Sequence, residues 1–194
     1  AYESRFAFTK HRFYGIERPT PNEYLQGLLD TGKRMEPLAL RLWNRLFDGR
    51  YFAVTSGLLL DMSHPELFGA TPDGLVFDCG TLRLIGTLEI KNPQKRKLAH
   101  TPEEIPQRYL MQILGQLMCV PVNRFFYLEY KSDTEFTSWE GEIDPDLKDA
   151  CRTLLLAYKE LVDSHDIETF PRRTKQIELS AASFRLRLAG PFIG

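Results

Sequence analysis

Leu88-Glu89-Ile90-Lys91-Asn92-Pro93, with Gly69-Ala70-Thr71-Pro72-Asp73-Gly74-Leu75-Val76 ahead of it, decides how this chain is read. Side chains alternate along a strand. Leu88 and Ile90 therefore share one face, directed at a core, while Glu89 and Lys91 share the other and project into a polar site. Taken alone, Glu89 and Lys91 read more readily as an i, i+2 salt bridge on a solvated sheet face, and Pro72-Asp73-Gly74 as a common turn. A hairpin changes the balance. Phe68 to Phe77 and Leu82 to Lys91 read as paired strands around Asp78-Cys79-Gly80-Thr81, which brings Asp73 beside Glu89 and Lys91. Two carboxylates on neighbouring strands suit a hard divalent cation. Such a cation polarises a phosphate and activates water. The Lys91 ammonium would orient that water or offset charge growing on the phosphorane.

The flanking sequence supplies the rest of the expected fold. Thr20-Pro21-Asn22-Glu23 reads as a helix start, with Thr20 as cap, Pro21 at the first position and Glu23 completing a capping box. Glu23 to Phe47 has apolar residues at helical spacing, with Gly32 as a weak point or a break between two helices. Tyr51 to Asp61 reads as a strand. Gln94 to Pro106 is a loop, basic at Lys95-Arg96-Lys97, and Gln107 to Val120 a helix. Arg124 to Lys131 and Thr134 to Ile143 are predicted strands, and Asp146 to Ser164 a last helix. The tail from Pro171, basic at Arg172-Arg173-Lys175, is ambiguous. The order predicts an α/β fold: a mixed central β-sheet flanked by helices, as in a restriction-endonuclease-like core, with residues 1–194 forming one domain.

Composition narrows the class. The 194 residues are 43% hydrophobic and 26% charged, ordinary for a globular protein. No apolar run approaches a membrane span, and Ala1 to Lys10 lacks the apolar region of a signal peptide. Cys79, Cys119 and Cys151 are far apart and odd in number, against a disulfide framework or a four-cysteine metal site, so cytoplasm or nucleus is the expected compartment. Net charge is −1. Binding to nucleic acid through bulk electrostatics calls for a more basic chain, so any such contact must come from local patches beside an acidic site.

Pro72-Asp73 followed by Glu89-Ile90-Lys91 resembles the PD-(D/E)xK nuclease signature. The wider segments, Thr71-Pro72-Asp73-Gly74-Leu75 and Glu89-Ile90-Lys91-Asn92-Pro93, resemble the lambda-exonuclease (YqaJ-type) branch found in viral and phage recombination. Gly32-Lys33-Arg34-Met35-Glu36 is similar to that branch's G-x-x-x-E helix motif, and Tyr109-Leu110-Met111-Gln112 to its Y-x-x-Q helix. The four motifs fall in family order between residue 32 and about residue 118.

The resemblance implies that Glu36, Asp73, Glu89 and the carbonyl of Ile90 hold Mg²⁺ or Mn²⁺, as two ions. Lys91 would assist the water, Gln112 would position the nucleophile or Lys91, and Thr71 would touch a phosphate. Glu36 reads about equally well as an exposed helix residue pairing with a neighbour. Lys95, Arg96, Lys97, Arg108 and Tyr109 are candidates for gripping nucleic acid, although the Lys95-Arg96-Lys97 run reads equally as a mobile charged loop. The segment that captures a 5′ phosphate in the branch is not placed; Arg5, Arg12 and Arg18 are candidates. Phe6, Phe8, Phe13 and Tyr14, interleaved with basic residues, either stack on bases or pack on the core.

The expected activity is metal-dependent hydrolysis of DNA, by a 5′-to-3′ exonuclease on duplex ends in recombination or replication. A single-strand annealing protein and further copies of the chain are the expected partners, and a virus-encoded protein acting in its host cell the expected setting. An endonuclease or RNA-cleaving enzyme with the same site is the first alternative. A catalytically inactive nucleic-acid-binding module is the second, and intact Asp73, Glu89 and Lys91 argue against it.

Overall fold

The structure, a computed structural model, describes residues 20–65, 68–163 and 187–188. Helix α1 (Glu23–Leu46) leads into strand β1 (Tyr51–Val54), followed by β2 (Leu59–Leu60), β3 (Gly69–Ala70), β4 (Gly74–Asp78) and β5 (Leu84–Lys91). A 3-10 turn (Pro102–Glu104) and helix α2 (Gln107–Met118) lead to β6 (Arg124–Ser132) and β7 (Glu135–Glu142). Helix α3 (Pro145–Asp163) and strand β8 (Arg187–Leu188) complete the described elements. Six strands form one sheet in the order β1-β4-β5-β6-β7-β8. Only β5 and β6 run parallel; the other pairs are antiparallel. A parallel neighbour needs a long crossover, and the loop after Lys91 with α2 supplies it. This is the mixed sheet with flanking helices that the sequence predicts.

Each face of the sheet has its own core. On one, Ala39, Leu42 and Trp43 of α1 pack on Ala53, Val76, Leu88, Ile90, Phe126 and Leu128. Trp43 lies 4.5 Å from the Phe47 ring and 5.2 Å from that of Phe126. On the other, Leu110, Ile113, Leu114 and Leu117 of α2 cover Phe125, Tyr127 and Trp139, joined by Cys151 of α3. Leu88 and Ile90 thus face α1, and Glu89 faces α2. Strand β5 is central, with both faces covered, so Glu89 does not lie on a solvated sheet face.

Several local expectations shift. The α1 cap is Asn22, whose side chain accepts the Leu25 N–H at 2.8 Å; Thr20 stands too far ahead of Glu23 to reach the first free amides. The helix is continuous through Gly32 and even Pro37, its second half held by the buried face of Ala39, Leu42 and Trp43. The predicted strand from Tyr51 to Asp61 stops at Val54, and Leu59–Leu60 pairs instead with Gly69–Ala70 in a separate ribbon. The strand predicted from Phe68 is likewise broken at Thr71–Asp73. Pro72 has no N–H for a ladder, and its carbonyl accepts from the Ser56 hydroxyl at 2.8 Å. The sequence reading has no counterpart of β8. Among the described residues no helix is long and apolar enough to cross a membrane.

Gly86 is where the sheet is tightest. A Cβ there would lie 2.8 Å from the Arg124 carbonyl oxygen and 3.2 Å from the Phe126 ring, both fixed by sheet pairing. Around Gly32, on α1, nothing lies within 4 Å. Gly86→Ala is expected to lower unfolding free energy by about 1–3 kcal/mol through overpacking, and Gly32→Ala to raise it by roughly 0.5–1 kcal/mol through helix propensity. Urea midpoints of the two variants check this; equal midpoints would contradict the register of β5 on β6.

Candidate active site

The site forms just ahead of the first residue of β4, where β5 runs on past its partner. The last pair on that side is Gly74 with Leu88, so Ile90 extends beyond the partner strand. Its N–H donates to Asp73 Oδ2 at 2.6 Å. Within a strand the N–H and C=O of one residue point to the same side, so the Ile90 carbonyl lies along the same open edge. Pro72, buried, holds Asp73 at the break in the chain.

Glu89 is fully buried beneath α2. Its carboxylate pairs with the Lys91 ammonium and accepts the side-chain N–H of Gln116. The sequence reading assigns Gln112 the task of positioning the nucleophile or Lys91. Gln112 lies one turn earlier and is half-buried, whereas Gln116 is buried and bonded to Glu89. Both lie on the helix face expected to be polar, and only the separation of α2 from the sheet distinguishes them.

Burial and the charge of Asp73 push the Glu89 carboxyl up to about 7, against the opposing pull of Lys91 and Gln116. Burial also raises Asp73, against the Ile90 N–H and the Lys91 charge. Glu36 of α1 belongs to the same field: burial and the Asp73 charge raise its carboxyl, and Lys91 lowers it. Burial opposes the Lys91 ammonium, but Glu89 and Asp73 more than offset this and raise its pKa. The structure therefore brings Asp73, Glu89 and Lys91 together, with Glu36 within electrostatic reach.

The basic residues divide. Lys95 and Lys97 are exposed, and the Lys95 ammonium sits 4.5 Å from the Tyr24 ring centroid. Arg108 is exposed, with its guanidinium over the Tyr109 ring and bonded to the Tyr109 hydroxyl at 3.2 Å. Arg96 departs from the expectation of phosphate contact. Its guanidinium forks onto both carboxylate oxygens of Glu129, a fully buried residue that would otherwise be an uncompensated charge. Thr71 is exposed beside the Pro72-Asp73 corner. Arg5, Arg12 and Arg18, the N-terminal aromatics and Arg172-Arg173-Lys175 lie outside the described residues.

The family model for the YqaJ-like viral recombinase domain matches residues 13–123, more than half of the chain. The chain belongs to this family. No curated protein matches the sequence. Among solved structures, the alkaline exonuclease LHK-Exo from Laribacter hongkongensis superposes with a TM-score of 0.60 at 22% identity, covering 80% of this chain and 76% of that one. The likeness is one of fold. The family makes this chain a YqaJ-like recombinase domain, and the superposition shows a fold shared with that exonuclease.

The donors of this YqaJ-like site suit a hard divalent cation. Asp73 and Glu89 offer carboxylate oxygens, the Ile90 carbonyl shares their edge, and all are oxygen ligands. Among the described residues no three His, Cys, Asp or Glu side chains stand close enough to form a ready-made cage. Burial raises the Asp73 and Glu89 carboxyls, and a bound cation would favour their ionised forms by displacing a proton.

A carboxyl whose folded-state pKa is raised binds more protons in the native than in the unfolded state. Between its ordinary 4.5 and about 7, Glu89 therefore lowers stability as pH rises. In EDTA, the Tm is expected to fall across this window and Glu89→Gln to flatten the decline. Calorimetry over that range checks it, and identical slopes for both proteins would remove Glu89 as the responsible group.

Proposed function

We propose that this YqaJ-like domain hydrolyses phosphodiester bonds in DNA with Mg²⁺ or Mn²⁺, as a 5′-to-3′ exonuclease on duplex ends in recombination or replication. The observation that carries this reading is the meeting of Asp73, Glu89 and Lys91 at the start of β4. The family and the exonuclease fold support it. Two ions would be held by Asp73, Glu89 and the Ile90 carbonyl, with Glu36 sharing the second. When bound, they supply charge neutralisation at the phosphate and ionisation of water.

The chain's own residues then have separate tasks. The Ile90 N–H fixes Asp73, leaving its other carboxylate oxygen for a ligand. Gln116 holds Glu89 through Oε2, while Lys91 pairs with Oε1. An ammonium has three donors, so Lys91, while paired with Glu89, retains N–H bonds for an incoming water or a phosphate oxygen. As the water oxygen bonds to phosphorus, the bond to the leaving sugar oxygen breaks; solvent takes up the water's proton and returns one to that oxygen, and Lys91 offsets the negative charge that grows on the phosphorane. Thr71, Lys95, Lys97 and Arg108 lie on exposed surface and would contact the backbone. A single-strand annealing protein and further copies of this chain are the partners this role implies.

Purified protein given Mg²⁺ with linear 5′-phosphorylated, linear dephosphorylated and circular DNA tests the reading. Progressive loss of the phosphorylated linear form alone is expected. Nicked circles would indicate an endonuclease, and retained binding without cleavage an inactive module. Lys91→Ala is expected to reduce cleavage by about 10²–10³-fold, the scale of losing one transition-state donor, with cation binding retained by titration calorimetry. Asp73→Asn is expected to weaken cation binding as well. Equal loss of cation binding in both variants would refute the division of roles.

A further inference from the structure

We propose that Arg96 and Glu129, acting through the ring of Tyr109, are positioning residues that hold the Lys91 ammonium in its working orientation. The inference rests on the nuclease reading of Lys91. It starts from a buried charge that this reading does not use. Glu129 is 0% exposed and lies beside Lys91 in register on the parallel strands β5 and β6. Paired residues on adjacent strands project to the same face, so Glu129 points to the α2 side, as Lys91 does. Its carboxylate accepts from both terminal nitrogens of Arg96, from the Ala99 N–H at 2.8 Å and from the Tyr127 hydroxyl at 2.5 Å. A surface-loop arginine needs no such anchorage if its task is to meet a phosphate.

The consequence of fixing Arg96 is found at Tyr109. The Arg96 guanidinium lies 5.8 Å from the Tyr109 ring centroid, and the Lys91 ammonium 5.2 Å from the same centroid. The Tyr127 ring stands 6.1 Å from it. Cations within about 6 Å of an aromatic face are attracted to it. Cations sharing one ring repel each other; the exposed Arg108 also lies over it at 4.8 Å, while the other two each have their own carboxylate: Glu89 for Lys91 and Glu129 for Arg96. Charge thus alternates from Glu89 through Lys91, the Tyr109 ring and Arg96 to Glu129. Glu129 fixes Arg96, Arg96 fixes the ring, and the ring confines an ammonium on a flexible four-carbon stem.

The test separates a clamp from simple packing. The ¹⁵N ammonium signal of Lys91, assigned by its disappearance in Lys91→Arg, reports the orientation and protection of the ammonium without requiring activity. Wild-type protein and Tyr109→Phe, which keeps the ring, are expected to share one Lys91 signal position. Tyr109→Leu and Arg96→Gln are expected to move or broaden that signal and to lower kcat by about tenfold, the scale of a partly desolvated cation–π contact, with KM for DNA unchanged in Arg96→Gln. A Tyr109→Leu protein whose Lys91 signal stays at the wild-type position would overturn the clamp. So would a wild-type ammonium exchanging too fast to observe, and a displaced signal with unchanged kcat would overturn its catalytic role. Should Arg96→Gln fail to fold, the two Tyr109 variants decide alone. If wild-type protein cleaves no DNA, the nuclease reading falls, while the Lys91 signals of the Tyr109 variants still decide the clamp.

Discussion

Burying Glu89 beneath α2 is the constraint on which the site depends. A carboxylate taken out of water is costly unless paired and hydrogen-bonded, and Glu89 has an ammonium and an amide against it. Asp73 is held close enough to raise it further. The fold therefore holds a local deficit of positive charge that its own side chains only partly fill. A stability-driven core would relieve it with apolar residues of similar volume. Under the proposed function, the place of this deficit beside the strand edge where Ile90 outruns β4 is what would let a cation bind there.

Much of this was legible in the sequence, because strand periodicity leaves little choice. Once Leu88 and Ile90 are assigned to a core face, Glu89 and Lys91 must share the other, and a hairpin brings Asp73 to their level. The four motifs along the chain carried the family, and the alternation of strands with helices carried the mixed sheet. Distances along a helix face were less legible. Gln112 and Gln116 differ by one turn on the same stripe, and the height of α2 over β5 is set by Leu110, Ile113, Leu114 and Leu117 packing on Phe125 and Tyr127, which no local pattern reveals. Short extended segments were misjudged for a related reason. The run from Tyr51 to Asp61 has strand-like composition throughout, but only Tyr51–Val54 finds a partner in β4.

The basic loop after β5 shows why composition is a poor guide to binding surfaces. Lys95, Arg96 and Lys97 read as one positive run, yet their environments are unlike. Arg96 is bound to a buried carboxylate 33 residues further along the chain, while its two neighbours remain exposed. The signal for this lay in Glu129, an acidic residue in the apolar run from Phe125 to Tyr130. An acidic residue in a central strand requires a cation, and a planar guanidinium fits a carboxylate with two parallel hydrogen bonds. With Arg96 committed internally, the positive surface near the site is smaller than the sequence suggests, in keeping with the net charge of −1.

The placement of the site also follows from where a strand stops. Pro72 cannot donate to the sheet, so β4 begins at Gly74, and Gly74 is close-packed, with an added Cβ 3.4 Å from that of Leu88. Ile90, two residues beyond Leu88, is thereby left without a backbone partner on that side, and an unpaired buried N–H is costly. The Asp73 carboxylate satisfies it. One side chain thus ends a ladder and faces the open edge in the same geometry. A residue that could not accept that hydrogen bond would leave the amide unpaired, so this aspartate has a structural reason for its position before any cation is considered.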